Sequence, residues 1–217
     1  MNRILVADAH PLFRAALRQA AVAAVPDAIV GDVADLDALL AALGAEPDTD
    51  LVLLDLRMPG SRGLSGLAAL RGQFPGVAVL VVSAHDEPSV VRRVIAHGAA
   101  GFLPKSADPS VIADAVRAVL VDGHWLPPDL ARAVAAQSVD AGDAALASRL
   151  ARLTEQQFRV LSMLAEGLLN KQIADRLGVQ ERTVKAHVTA IFEKLEVRNR
   201  TQAGVLLRSL DLADTGP

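Results

Sequence analysis

Hydrophobic residues in the first half of the chain fall into short runs rich in β-branched residues and leucine, at residues 4–7, 29–33, 51–54, 77–82 and 101–103. Between these runs lie longer segments with helical spacing, over residues 11–24, 35–43, 65–74, 89–97 and 109–121. Runs that stay apolar, rather than alternating, mark strands buried on both faces, as in a parallel sheet sandwiched by helices. Five strands alternating with five helices predict one three-layer α/β unit of about 120 residues. In such a sheet, ligands bind beyond the carboxyl ends of the strands.

The pattern changes after residue 121. Pro127 and Pro128 stop any continuing helix. An alanine-rich stretch with scattered Asp, Gly and Ser follows to residue 150, which predicts a helical start and then a flexible link. Trp125, the sole tryptophan, is expected to anchor this connector to the preceding unit. Beyond it, Thr154 and Gln157 form a capping-box signature, with Leu153 and Phe158 placed as a hydrophobic staple. That helix should end before Gly167; Asn170 then serves as the expected cap of a short helix over 171–177, and Gly178 permits a tight turn. In a third helix, 181–195, Val184, Val188, Ile191 and Leu195 make one apolar stripe. The opposite face carries Arg182, Lys185, Ala186 and Thr189, short and basic, and suits a DNA major groove.

Charge sharpens the division. Residues 1–123 hold 10 Lys/Arg against 14 Asp/Glu, whereas residues 152–208 hold 10 against 6. An acidic unit is thus joined to a basic one, which the overall net charge of −3 conceals. There is no cysteine, so disulfides, thiolate nucleophiles and cysteine-ligated zinc are excluded, in keeping with a reducing compartment. No apolar stretch approaches the roughly 20 residues of a membrane span, and the first residues do not read as a signal peptide. A cytoplasmic protein without membrane contact is expected.

The candidate chemistry lies at the strand ends. Asp8, Asp55, Ser83 and Lys105 follow or close the first, third, fourth and fifth runs. Two carboxylates, a hydroxyl and an ammonium on one sheet edge suit phosphoryl transfer to a carboxylate, which needs positive charge on the incoming oxygens. Mg²⁺ fits such a site, Lys105 adds a point charge, and Ser83 offers a hydrogen bond. His10, beside Pro11, reads more simply as a helix-start residue than as a ligand.

Val6-Ala7-Asp8-Ala9-His10-Pro11, Leu54-Asp55-Leu56-Arg57-Met58-Pro59-Gly60, Val82-Ser83-Ala84 and Gly101-Phe102-Leu103-Pro104-Lys105 resemble the receiver domain of two-component response regulators. The resemblance implies a flavodoxin-like fold with strand order 2-1-3-4-5. It makes Asp55 the phosphoacceptor and Ser83, Phe102 and Lys105 the switch and phosphoryl contacts. The metal set would be Asp8, Asp55 and the backbone carbonyl of Arg57. Ala9 departs from the pattern, because the family usually carries a second acidic residue there as a direct metal ligand. Weak Mg²⁺ binding and slow phosphorylation are therefore expected.

Residues 152–208, through Leu164-Ala165-Glu166-Gly167, Asn170-Lys171, Leu177-Gly178-Val179 and Arg182-Thr183-Val184-Lys185-Ala186, resemble the LuxR-type helix-turn-helix of NarL/FixJ response regulators. The resemblance implies an all-α four-helix domain, with groove contacts at Lys185 and Ala186, a phosphate contact at Thr183 and backbone contacts at Asn170 and Lys171. The expected domains are a receiver at 1–122, a linker at 123–150 and a DNA-binding domain at 151–217. The expected partners are promoter DNA, a sensor histidine kinase, a second copy of the chain and RNA polymerase. A dimer surface is expected at Val205, Leu206 and Leu210 on the last helix. Nothing suggests an enzyme beyond the receiver's own phosphotransfer. The rival reading is a regulator whose receiver is not phosphorylated and serves only for dimerisation or protein binding. A nucleotide-binding enzyme is disfavoured, since His10-Pro11-Leu12 stand where a glycine-rich phosphate loop would follow the first strand.

Overall fold

The structure, a computed structural model, describes residues 1–136 and 141–212. Strands β1 (Arg3–Ala7), β2 (Ile29–Val33), β3 (Leu51–Asp55), β4 (Ala78–Ser83) and β5 (Gly101–Pro104) form one parallel sheet, ordered β2-β1-β3-β4-β5. Successive strand residues point to opposite faces, so each apolar run feeds two cores. Ile4, Val6, Leu51, Leu53, Leu80 and Val82 face helices α1 (Pro11–Ala24) and α5 (Pro109–Asp122). Leu5, Ala7, Val52, Leu54, Val79 and Val81 face α2 (Leu36–Ala45), α3 (Ser65–Gln73) and α4 (Pro88–Ala96). Only the edge strand β2 stays largely accessible.

Trp125 performs its expected anchoring. Its N–H donates to the Ala100 carbonyl at 3.0 Å, and its own carbonyl accepts from Phe102 N–H at 3.3 Å. The approach requires glycine at Gly101, where a Cβ would lie 2.3 Å from the Trp125 oxygen.

The connector differs from expectation. It forms helices α6 (Pro128–Ala135) and α7 (Ala141–Leu150), and α7 lies where a flexible link was expected. Alanine favours helix, and Leu146 and Leu150, four residues apart, bury one face of α7 against its neighbours. Residues 137–140 of the expected link lie outside the described residues.

The last helices are α8 (Glu155–Ala165), α9 (Asn170–Leu177), α10 (Glu181–Leu195) and α11 (Arg200–Arg208). The capping box of α8 is formed: Gln157 N–H donates to Thr154 Oγ1 at 3.3 Å and Thr154 N–H to Gln157 Oε1 at 3.1 Å. Leu153 and Phe158 are both buried, as a staple requires. Asn170 is not the cap of α9 but its first helical residue. Leu169 holds the cap position, and its N–H donates to Gln172 Oε1 at 2.8 Å.

The two halves share one continuous apolar cluster, running from the sheet through α3, α4 and α7 to α8, α10 and α11. Leu64 N–H donates to the Leu210 carbonyl at 3.0 Å. Arg93 reaches the Ser209 carbonyl and, at 3.3 Å, Asp143 Oδ1 on α7. A Cβ at Gly63 would lie 2.2 Å from the Leu210 oxygen, so this contact needs glycine, which also adopts a φ of +54° there.

Candidate functional site

Parallel pairing sets the strand ends side by side. Ala7 lies opposite Leu54, Asp55 opposite Val82, and Ser83 opposite Pro104, which carries Lys105 next in the chain. Asp8 is fully buried and Asp55 is 3% exposed. Lys105 Nζ donates to Asp8 Oδ2 at 2.7 Å and to Asp55 Oδ2 at 2.8 Å. Such buried charges are tolerable only when paired and hydrogen-bonded. The remaining oxygens are also engaged. Asp55 Oδ1 accepts Arg57 N–H at 3.1 Å, and Asp8 Oδ1 accepts His10 N–H at 2.7 Å. Ser83 is buried on the same edge, its Oγ accepting His85 N–H at 3.1 Å. Phe102 is fully buried in the sheet core. The expected residues therefore stand together, with Phe102 behind them.

Three residues outside the expected set also build this site. Phe13 places its ring 4.8 Å from Lys105 Nζ, a cation–π contact that holds the ammonium over the carboxylates. Arg14 donates from Nη1 to the Asp8 carbonyl at 2.8 Å and from Nε to Asp32 at 2.9 Å, tying the β1 end to β2. His10 starts α1 as expected, yet its Nδ1 also lies 3.1 Å from Asp8 Oδ1 and 3.8 Å from Asp55 Oδ2. The sequence signal for it was its place two residues beyond Asp8, in the loop at a strand's carboxyl end. One donor atom from each of Asp8, His10 and Asp55 falls within 4.8 Å of the others. Two buried carboxylates against one lysine leave a negative excess, so the set fits a divalent cation, while Ala9 contributes no donor.

The second candidate surface is α10. Val184, Ile191 and Leu195 are buried and Val188 is half-buried. Arg182, Thr183, Lys185, Ala186 and Thr189 are exposed, as is Lys171 on α9, with Asn170 half-buried beside it. Lys185 pairs with Glu181 at 3.0 Å, one turn back. An exposed pair of this kind contributes little stability, so the lysine can exchange its partner for a phosphate. Gln180 caps α10 without a side-chain hydrogen bond.

On α11, Val205 is exposed and Leu206 half-buried, but Leu210, just past the helix, is fully buried against the loop between β3 and α3. This arrangement does not present Leu210 to a second copy. The physical reason is that its side chain already belongs to the core shared by both halves.

Residues 4–117 match the response regulator receiver domain, and residues 151–207 match the bacterial regulatory proteins of the luxR family. The chain is 44% identical over 208 residues to the glycerol metabolism activator of Pseudomonas putida, covering 94% of this chain and 93% of that one. It is 33% identical over 204 residues to the nitrate/nitrite response regulator protein NarP of Escherichia coli, covering 94% and 93%. RcsB from Salmonella enterica serovar Typhimurium, solved bound to a promoter with a phosphomimetic, superposes with a TM-score of 0.56 at 23% identity, covering 96% and 98%. No helix among the described residues is long and apolar enough to cross a membrane. With both family models and full-length relatives matched, the chain belongs to the transcriptional response regulators that join a receiver domain to a LuxR-type DNA-binding domain.

Proposed function

We propose that Asp55 is the phosphoacceptor and that its phosphorylation governs dimerisation and promoter binding through α10. The observation that carries this is Lys105 Nζ held within 2.8 Å of both buried carboxylates, Asp8 and Asp55. An Asp55 oxygen attacks the phosphorus of a phosphohistidine on a sensor kinase; as the P–O bond forms, the P–N bond breaks and the imidazole leaves with a proton. Lys105 balances charge on the transferring oxygens, and the Ser83 hydroxyl donates to the phosphoryl group. A divalent cation held by Asp8, Asp55 and the Arg57 carbonyl would supply further charge neutralisation.

Coupling to DNA follows from what the packing covers. The contact between halves buries Leu210 while leaving Arg182, Lys185, Ala186 and Thr189 exposed. Release of this contact would therefore complete the Val205–Leu206–Leu210 face for a second copy, rather than uncover the reading helix. A dimer doubles the phosphate contacts and reads paired half-sites. The receiver at 1–122, the connector at 123–150 and the DNA-binding domain at 151–217 are the functional parts. They act in the cytoplasm on promoter DNA and RNA polymerase, with no catalysis beyond the receiver's own phosphotransfer. Ala9 favours a second reading, a receiver that is never phosphorylated and only dimerises or binds protein.

A gel-shift titration of the full chain, with and without a small phosphodonor and Mg²⁺, separates them. The expected result is tighter DNA binding with the donor for the wild type and no response for Asp55→Asn. Lys185→Ala should weaken binding in every state and lower the salt slope by about 1. An equal response from Asp55→Asn overturns the phosphoacceptor assignment, and no response from the wild type favours the second reading.

A further inference from the structure

We infer that His10 is a metal ligand of this pocket and that the pocket selects a borderline transition ion, of the Co²⁺ or Zn²⁺ class, over Mg²⁺. The inference rests on the acidic pocket being a cation site and concerns which cation it takes. Ala9 stands where a carboxylate would have given a hard oxygen donor. On the same loop, one residue on, His10 turns its Nδ1 inward, 3.1 Å from Asp8 Oδ1 and 3.8 Å from Asp55 Oδ2. Two donors each about 2.0–2.2 Å from one ion stand about 3 Å apart at a right angle and about 3.4 Å apart at the tetrahedral angle. The observed spacings lie on either side of the tetrahedral edge, and all three donor atoms fall within 4.8 Å of one another, so the set closes on a cation by drawing His10 and Asp55 together.

The rest of the loop holds His10 in this position. Its N–H donates to Asp8 Oδ1 at 2.7 Å, and Pro11 fixes the backbone immediately after it. Its side chain is 68% exposed, so the imidazole forms a rim open to water through which an ion can enter. Lys105 engages Oδ2 of both aspartates from its own side. Asp8 Oδ1, by contrast, faces the histidine. Coordination requires the tautomer with Nδ1 free and the proton on Nε2, where solvent can accept it. The Nδ1 contact to Asp8 is then replaced by bonds from both groups to the ion.

The donor chemistry supplies the selectivity. Mg²⁺ demands oxygen ligands in near-ideal octahedral geometry, and an imidazole in place of a carboxylate costs it both charge and ligand hardness. Cobalt and zinc accept mixed nitrogen and oxygen sets. A nitrogen donor beside two carboxylates therefore restores what Ala9 removed, but for a different class of ion.

Calorimetric titration of the full chain with Co²⁺ and with Mg²⁺, together with the visible spectrum of the Co²⁺ form, tests this on wild type, His10→Ala, His10→Asn and Asp55→Asn. The expected result is a loss of at least about 10-fold in Co²⁺ affinity for both His10 variants, with a changed cobalt spectrum and Mg²⁺ affinity within about twofold of wild type. His10→Asn retains a good helix-start residue and replaces the nitrogen by oxygen, so it separates ligation from local folding. Unchanged Co²⁺ affinity and spectrum in the His10 variants, with loss in Asp55→Asn, overturns the histidine ligand and leaves the cation site standing. Equal losses for Co²⁺ and Mg²⁺ in the His10 variants overturn the selectivity. No change in Asp55→Asn for either ion removes the cation site itself, and the inference with it.

Discussion

Asp8 and Asp55 are two buried carboxylates with one lysine between them, and at the scale of single residues everything around them manages that charge. Phe13 steadies the lysine, Arg57 and His10 donate backbone N–H groups, and Arg14 ties the Asp8 carbonyl to the edge strand. The missing component is at Ala9. Ala9→Asp adds an oxygen donor beside Asp8, and is expected to tighten Mg²⁺ by at least about 10-fold and to speed labelling by a small phosphodonor. Magnesium titration of the two proteins checks it; equal affinities would show that Ala9 is no handicap. Asp8, Asp55, Ser83 and Lys105 were legible in the sequence because each ends a recognisable strand. Phe13 and Arg14 were not, because their partners lie 92 and 18 residues away and meet them only across the sheet.

At the scale of elements, periodicity foretold most helices because their buried faces are amphipathic and their caps are local. The capping box at Thr154 and the left-handed glycine after α9 depend only on near neighbours. Helix α10 ends differently. Its C-cap, Glu196, has a φ of +58°, a left-handed conformation that a side chain strains and glycine does not. Its carboxylate lies 3.9 Å from Arg149, a weak return in an exposed setting. Glu196→Gly is expected to raise stability by up to about 1 kcal/mol, measured by thermal or urea unfolding. A decrease would show that the Arg149 pair outweighs the backbone strain. The connector escaped local reading because α7 is held by Leu146 and Leu150 inside a core contributed by other elements.

At the scale of the whole molecule, the contact between the halves sets which surfaces are available. Gly63→Ala would place a methyl group 2.2 Å from the Leu210 carbonyl and in a left-handed backbone, so the halves must separate there. The expected outcome is a larger radius of gyration by small-angle scattering and more dimer at equal concentration. An unchanged radius would show that the contact yields locally instead. His97, at the end of α4, has a fully buried side chain 4.0 Å from Asp143 on α7. Burial pushes its pKa down from 6.5, more than Asp143 raises it, and Arg93 adds to the lowering. The unfolded chain therefore binds a proton at His97 before the folded one does, and stability falls as pH drops below about 6.5. Melting temperatures at pH 8 and pH 5.5 should differ more for wild type than for His97→Gln. An equal difference would clear His97 of the effect.

Local and periodic features were legible along the chain: the parallel α/β unit, the carboxylates, hydroxyl and lysine at its strand ends, the four carboxy-terminal helices and the basic face of α10. Each follows from backbone geometry, which repeats every two or 3.6 residues and needs no distant partner. Packing between distant segments set the rest: His10 faces the carboxylates, α7 is a helix with one buried face, and Leu210 lies in a core shared by both halves. These depend on contacts between residues far apart in the chain, such as Leu64 with Leu210 and Arg93 with Asp143, which no spacing along the chain encodes.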